Sequence, residues 1–266
     1  MLSELGSPWL HLLTCGSTND EARRLGKAGT PHGTVVTADE QASGRGRQGR
    51  TWYSPSGDNL YLSLLLRPEL PPREVPLLTM VAGLAIYEAA TEVLRAHGLV
   101  ESPLLLKWPN DLLGRTPSGL RKVAGILTEM TLASGRCDFV VVGIGCNVSG
   151  LAFPAEVPAT SLRQLLGPSG APLSVHDFAV TLLGHFELLY RRFLRDGARW
   201  VTQTFANCAE LTAPGKALTV TTGAGVTCGE SLGIDSDGAL LIRRDDGYVE
   251  RLLSGDVATE PSLRQG

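Results

Sequence analysis

The sequence predicts an α+β fold followed by a small all-β unit, and three observations carry that expectation. Two stretches, one from Val75 to His97 and one beginning at Ser174, repeat apolar residues at three- and four-residue steps, the period of an amphipathic helix. Around them lie β-branched and leucine-rich runs, several joined by turns too short for the helical crossovers that parallel strands need. From about Gly215 the helical period vanishes, leaving short strand-like runs between Gly- and Asp-rich turns. Helices flanking a mixed, mostly antiparallel sheet define the α+β class. The expected division is a larger domain over residues 1–214 and the β unit over 215–266.

Taken in order, "WLHLL" reads as an opening strand and "STNDEARRLG" as a short helix, with Thr18 and Glu21 matching a capping box and Gly26 or Gly29 as its stop. "GTVVTADEQ" and "NLYLSLLLRP" are strands, the second closed by Pro68. The helix over Val75–His97 places Leu77, Leu78, Val81, Leu84, Ala85, Val93 and Leu94 on one face and ends at Gly98. "PLLLKWPND", a turn built on "GRTPSG", "KVAGILTEM" and "CDFVVVGIGCNV" continue the sheet. Ser174 and Asp177 cap a second helix with Phe178, Leu182, Phe186, Leu189, Tyr190 and Phe193 along one side. "KALTV", "GVTCGESLGI", "GALLIRR" and "YVERLL" supply the β unit.

With 266 residues, 43% hydrophobic and 19% charged, the chain can bury one sizeable core and a satellite. A formal net charge of −3 lacks the basic excess of a protein that coats nucleic acid. Cys15, Cys137, Cys146, Cys208 and Cys228 are odd in number and scattered, and neither they nor the five histidines have metal-site spacing. The N-terminus lacks the pattern of a signal peptide, and no window comes near the ~20 uninterrupted apolar residues of a bilayer span. These features place the chain in the cytoplasm, without membrane or DNA partners.

The chemistry concentrates in a few stretches. "GRGRQGRTW", Gly44 to Trp52, alternates glycines with arginines. Glycine lets backbone N–H groups approach a ligand, and Arg offers paired donors to carboxylate or phosphate. By itself the stretch fits either an anion-binding loop, mobile until the ligand arrives, or a solvated basic loop. It lacks the residue order of a Walker P-loop. "KWPND" ends an apolar strand with Lys107 after four residues that offer it no polar partner; such a lysine sits at the sheet surface or aims at an anion. In "VVGIGCNV", Gly143 and Gly145 mark close approach of a ligand or another backbone. "STN", Ser17 to Asn19, supplies three polar side chains at a helix start where capping requires only one.

In this order, "STNDEA", "GRGRQGRTWYSPSGDNLYLSLLLRP", "KWPNDLL", "RKVAGILTEM" and "VVGIGCNV" resemble the biotin protein ligase family, the biotin-[acetyl-CoA-carboxylase] ligases. The match is strong from Ser17 to Val148 and looser through "ATSLR" and "GIDSDGALLIRRDDG". The resemblance implies a catalytic domain like that of class II aminoacyl-tRNA synthetases and a C-terminal SH3-like barrel. It also implies a two-step reaction: biotin and Mg-ATP give biotinyl-5'-AMP, and a lysine of a biotin carboxyl carrier protein then takes the biotinyl group. A homodimer is compatible with it.

By the same resemblance, Ser17, Thr18, Asn19 and Gln41 hold the ureido end of biotin. Gly44, Arg45, Gly46 and Arg47 close over its carboxylate, and Arg47 and Arg50 reach the phosphates. Trp52 lies on the adenylate side, Lys107 bridges carboxylate and α-phosphate, Gly125 and Ile126 line the biotin slot, and Asn147 contacts the adenine. Lys107 and Arg45 carry the catalysis, and Asp111 meets Mg2+. Cys146 stands where an aliphatic residue is expected, and the tail "SGDVATEPSLRQG" departs from the family's usual glycine–acid–β ending. "STN" begins at position 17, which leaves no room ahead of it for a winged helix-turn-helix. The rivals are a lipoate ligase or octanoyltransferase on the same fold, and a non-catalytic biotin-binding regulator.

Overall fold

The computed structural model describes residues 5–168 and 170–258. Its elements run β1 (Trp9–Cys15), α1 (Thr18–Lys27), β2 (Thr34–Gln41), β3 (Leu60–Leu66), α2 (Leu77–Ala96), β4 (Leu104–Lys107), β5 (Asp111–Thr116), β6 (Gly119–Ala133) and β7 (Arg136–Cys146). They continue with α3 (Leu162–Leu165), α4 (Val175–Cys208), β8 (Ala217–Thr222), β9 (Gly225–Ile234), β10 (Leu240–Arg243), β11 (Val249–Leu252) and β12 (Asp256–Ala258). The first seven strands form one sheet in the order β1-β2-β3-β7-β6-β5-β4. Only β1 and β2 pair in parallel, with α1 as their crossover; the other pairs are antiparallel. The mixed, mostly antiparallel α+β sheet expected from the sequence is therefore present. The C-terminal strands pair in the order β11-β10-β9-β8-β12, with β11 and β12 as the two edges, so the expected barrel is not closed by hydrogen bonds.

The central strand β3 is buried along its whole length, because α1 covers one face of the sheet and α2 with α4 the other. Gly26 lets α1 settle on β7: a Cβ there would lie 2.7 Å from the Phe139 ring. α2 differs from the one-sided helix of the sequence reading. Every residue from Met80 to Ile86 is buried, since the helix is wedged between the sheet and α4 and has little solvent face. By length and composition Leu77–Ala96 could cross a bilayer, at a hydropathy of 1.5, in contrast to the sequence expectation. However, 72% of that window is buried inside the protein.

Two local expectations need correction, and two elements go beyond what the sequence reading specified. The α1 N-cap is Ser17, not Thr18, and no side chain caps it; Thr18 bonds sideways to Gln41 instead. The segment after "KWPN" is strand β5, and Thr116 pairs with Gly119 across a turn of only Pro117 and Ser118. A short helix, α3, follows Ser161, whose hydroxyl accepts from the Gln164 N–H while the Gln164 side chain accepts from the Ser161 N–H. That reciprocal cap is read directly from S-x-x-Q. α4, capped by Ser174 as expected, runs on to Cys208 through a kink at Gly197, where φ is +78°. The irregular tail supplies β12, paired antiparallel to β8; residues 259–266 of that tail lie outside the described residues.

Candidate functional site

A cavity of about 390 Å³ opens where the N-terminus of α1, the Gly44–Trp52 stretch, the β4–β5 turn, β6, β7 and the start of β12 converge. Of the fifteen residues singled out in the sequence for this chemistry, only Gly44 does not border it. Gly44 lies under the loop, where a Cβ would fall 2.5 Å from Ser54 Oγ and from the Trp52 carbonyl oxygen.

One end of the cavity is a neutral polar cluster. Gln41 Oε1 accepts from the Thr18 N–H at 2.9 Å and from its hydroxyl at 3.2 Å, and Gln41 Nε2 donates to Ser54 Oγ. Ser63 Oγ stands 2.8 Å from Thr18 Oγ1 and 2.6 Å from Asn19 Oδ1, with one proton to give between them. Asn19 Nδ2 donates to the Leu127 carbonyl and to Glu129. Ser17, Thr18 and Asn19 are all under 5% exposed. The donors and acceptors of Thr18, Asn19 and Gln41 are thus fixed in orientation before a ligand arrives, which favours a neutral polar ligand of matching pattern.

The strand glycines turn out to serve side chains of this chain. A Cβ on Gly143 would fall 2.0 Å from Asn19 Oδ1, and one on Gly145 2.5 Å from the Trp52 indole. Gly125 gives the same indole room, with Trp52 Cζ3 at 3.1 Å from its would-be Cβ. Trp52 therefore lies flat across β6 and β7, and its buried Nε1 has no acceptor. A buried unpaired donor is disfavoured by ~1–3 kcal/mol, so a ligand acceptor there would be stabilised.

The other end is charged. Arg45, Arg47, Arg50, Lys107 and Lys122 border the cavity with the carboxylates Asp111, Glu156 and Asp256. The Gly/Arg stretch folds back on itself: Gly46 N–H donates to the Arg50 carbonyl at 2.7 Å and Trp52 N–H to that of Gly44 at 2.9 Å. Arg47 Nη1 reaches Asn110 Oδ1 at 2.9 Å, and burial holds its guanidinium below the usual arginine range. Arg45 is turned away from this end, to Asp20 at 2.7 Å and to Glu129, whose Oε2 also accepts from Asn19 of the neutral cluster. Lys107 Nζ lies 2.6 Å from Asp256 Oδ1, and Arg50 Nη1 3.2 Å from Asp256 Oδ2. Burial raises the Asp256 carboxyl, but Lys107 and Arg50 outweigh it and keep it below the usual carboxylate range.

Asp111, the expected Mg2+ contact, has Lys122 Nζ 2.7 Å from its Oδ1. That contact is an ion pair without the alignment of a hydrogen bond, and the buried oxygen has no other donor. One such carboxylate suits a cation that brings most of its own ligands, as Mg2+ on phosphates does. Among the described residues no three His, Cys, Asp or Glu side chains converge to make a self-sufficient metal site. Asn147, expected at the adenine, is buried and donates to the Lys122 and Thr160 carbonyls, pinning the loop before α3 to the cavity rim.

Two groups escaped the sequence reading. Lys122 sits over Trp52, with Nζ 5.3 Å from the ring; its place three residues before Gly125 in a quoted motif was the available signal. For Asp256 the available signal was its place in the triplet Gly255–Asp256–Val257 of the quoted tail, but nothing local joins it to Lys107, 149 residues away.

A family model described as the biotin/lipoate A/B protein ligase family matches residues 14–147, and one described as the biotin protein ligase C-terminal domain matches 215–258. The chain is 33% identical over 257 residues to a bifunctional ligase/repressor BirA of Bacillus spizizenii, covering 95% of this chain and 74% of that protein. It is 35% identical over 241 residues to a biotin--[acetyl-CoA-carboxylase] ligase of Paracoccus denitrificans, covering 87% of this chain and 92% of that one. Among solved structures, the biotin protein ligase of Aquifex aeolicus in complex with biotin and ATP superposes with a TM-score of 0.76 at 29% identity, covering 94% of this chain and 97% of that one.

Proposed function

The chain belongs to the biotin/lipoate A/B protein ligase family, and from that membership we propose that it is an ATP-dependent biotin protein ligase. It activates biotin to biotinyl-5'-AMP with release of pyrophosphate. It then transfers the biotinyl group to a lysine of the biotin carboxyl carrier protein of acetyl-CoA carboxylase. We assign residues 1–214 to the biotin- and ATP-binding catalytic domain and 215–266 to the C-terminal unit.

The observation that carries the reading is the two-ended cavity: a pre-oriented neutral polar cluster at Ser17–Asn19 and Gln41 faces a cluster of cations from separate parts of the chain. A cyclic urea offers one carbonyl acceptor and two N–H donors, which suits the first end. A carboxylate meeting an α-phosphate suits the second. Both reactants are anions, so fixed cations lower their mutual repulsion and stabilise the charge that builds on phosphorus. Lys107 is the group for the carboxylate and α-phosphate, and Arg47 and Arg50 for the phosphates. Arg45 with Gly44 and Gly46 serves the closing loop, while Gly125, Ile126 and Trp52 form the apolar slot between the ends. Asn147 holds the adenine side through the loop it pins. Asp111 would hold the Mg2+ that ATP brings, and the ion would neutralise phosphate charge. Closing the loop keeps water from the mixed anhydride until the acceptor amine arrives.

The ligase activity is proposed without a repressor role, since a formal charge of −3 offers no basic footprint for DNA. A reducing, ATP-rich cytoplasm suits both the substrates and the free cysteines. The test is ATP–pyrophosphate exchange with biotin and with lipoate side by side, followed by labelling of a carrier domain. Biotin-dependent exchange is expected; exchange with lipoate alone would overturn the assignment.

A further inference from the structure

We propose that Asp256 is an internal counter-anion: its carboxylate occupies the seat on Lys107 and Arg50 that a ligand's phosphate needs, so a polyphosphate binds there only by displacing it. The name of that ligand, ATP or its product pyrophosphate, rests on the ligase reading. The competition itself does not.

The geometry is that of a bound anion. Each carboxylate oxygen takes one cation, Oδ1 from Lys107 at 2.6 Å and Oδ2 from Arg50 at 3.2 Å, as two phosphate oxygens would. The carboxylate is delivered from the C-terminal unit by β12, which pairs Asp256 with Thr221 of β8 and buries Val257. Gly255 allows that close approach, since a Cβ there would fall 2.5 Å from Val220 Cγ1. The two cations hold the half-buried Asp256 ionised, so at neutral pH it is a full negative charge on the two cations that a ligand anion would use.

A second anion on the same pair of cations would face this charge at a few ångströms, where like charges repel strongly in a partly desolvated site. The other cations on the wall have partners of their own. Arg45 meets Asp20 and Glu129, Lys122 meets Asp111, and Arg47 meets the neutral Asn110. Asp256 therefore weakens polyphosphate binding at one defined place. Its return to Arg50, the cation assigned to the departing phosphates, favours release of pyrophosphate and opposes its rebinding.

The test is calorimetric titration of inorganic pyrophosphate into the 266-residue chain without biotin or ATP. Asp256→Asn keeps the shape and removes the charge, and should bind pyrophosphate at least about fivefold more tightly than the parent chain, the lower range of a coupling of this kind. Asp256→Glu should stay near the parent affinity, and Lys107→Ala should lose binding. Equal or weaker binding by Asp256→Asn would overturn the proposal and make Asp256 a group that merely positions the cations. If Asp256→Asn fails to fold, Asp256→Ser is read against the same threshold. Because no biotin is present, failure here is separable from failure of the ligase assignment, which the exchange assay decides.

Discussion

Removing the Lys107 charge should reduce the rate of biotin adenylation by roughly 100-fold, and the magnitude follows from the site. Lys107 Nζ already holds a carboxylate oxygen at 2.6 Å, and its side chain is 18% exposed. A unit charge at about 4 Å from the reacting phosphate contributes ~1 kcal/mol if fully solvated and ~4 kcal/mol at an effective dielectric of 20. The low exposure places Lys107 toward the upper end, and loss of one preorganised donor to a developing oxyanion generally amounts to ~2.7–4 kcal/mol. A loss of about 2.8 kcal/mol is 100-fold in rate. The assay is biotin-dependent ATP–pyrophosphate exchange on Lys107→Ala, with circular dichroism to confirm the fold. Lys107 ends β4 at the cavity rather than in the core, and Arg50 remains to hold Asp256, so the protein should stay folded. A folded variant with less than a tenfold loss would refute the reasoning.

Further outcomes are expected from the same contacts. Gly145→Ala should dislodge the indole that lies 2.5 Å from its new Cβ and impair adenylation. Gly46→Ala, with its nearest contact at 3.4 Å, should leave the melting temperature unchanged; the opposite ranking of the two in a thermal and exchange survey would contradict the packing. Arg45→Ala should release biotinyl-5'-AMP faster in a chase experiment, and an unchanged rate would remove Arg45 from retention of the intermediate. Ser161→Ala removes a buried cap with a reciprocal bond and should lower stability by about 1 kcal/mol in urea titration; no change would show the cap to be dispensable. Because the folded Asp256 carboxyl is depressed, its stabilising contribution is present above the unfolded value of about 3.9 and disappears as pH falls through the lower folded value. The stability gap between the parent chain and Asp256→Asn should therefore close on acidification within that window, and a gap that persists below it would exclude the ion pair as its source.

Much of this protein is written in short windows of sequence. The β-branched runs, the Ser161 and Ser174 caps, the Gly98 stop and the texture change near Gly215 are each decided by a few neighbouring residues, because backbone preference and capping act over one or two turns. The ordered motifs likewise marked one cavity in advance, from Ser17 to Asn147. What the windows could not reveal is what each residue faces across space. Gly143 and Gly145 were legible as places of close approach, yet only packing made Asn19 and Trp52 the groups that approach. α2 carried a stripe by its period, but burial on nearly all sides came from α4 lying over it. The meeting of Asp256 with Lys107 and with Arg50, 149 and 206 residues away, depends on how the C-terminal strands dock beneath the cavity. That docking is the sum of many weak apolar contacts between distant segments, among them Leu218, Val220 and Val257 in one core with strands of the seven-stranded sheet. No local preference encodes it; the tertiary structure alone decides which charge stands beside which.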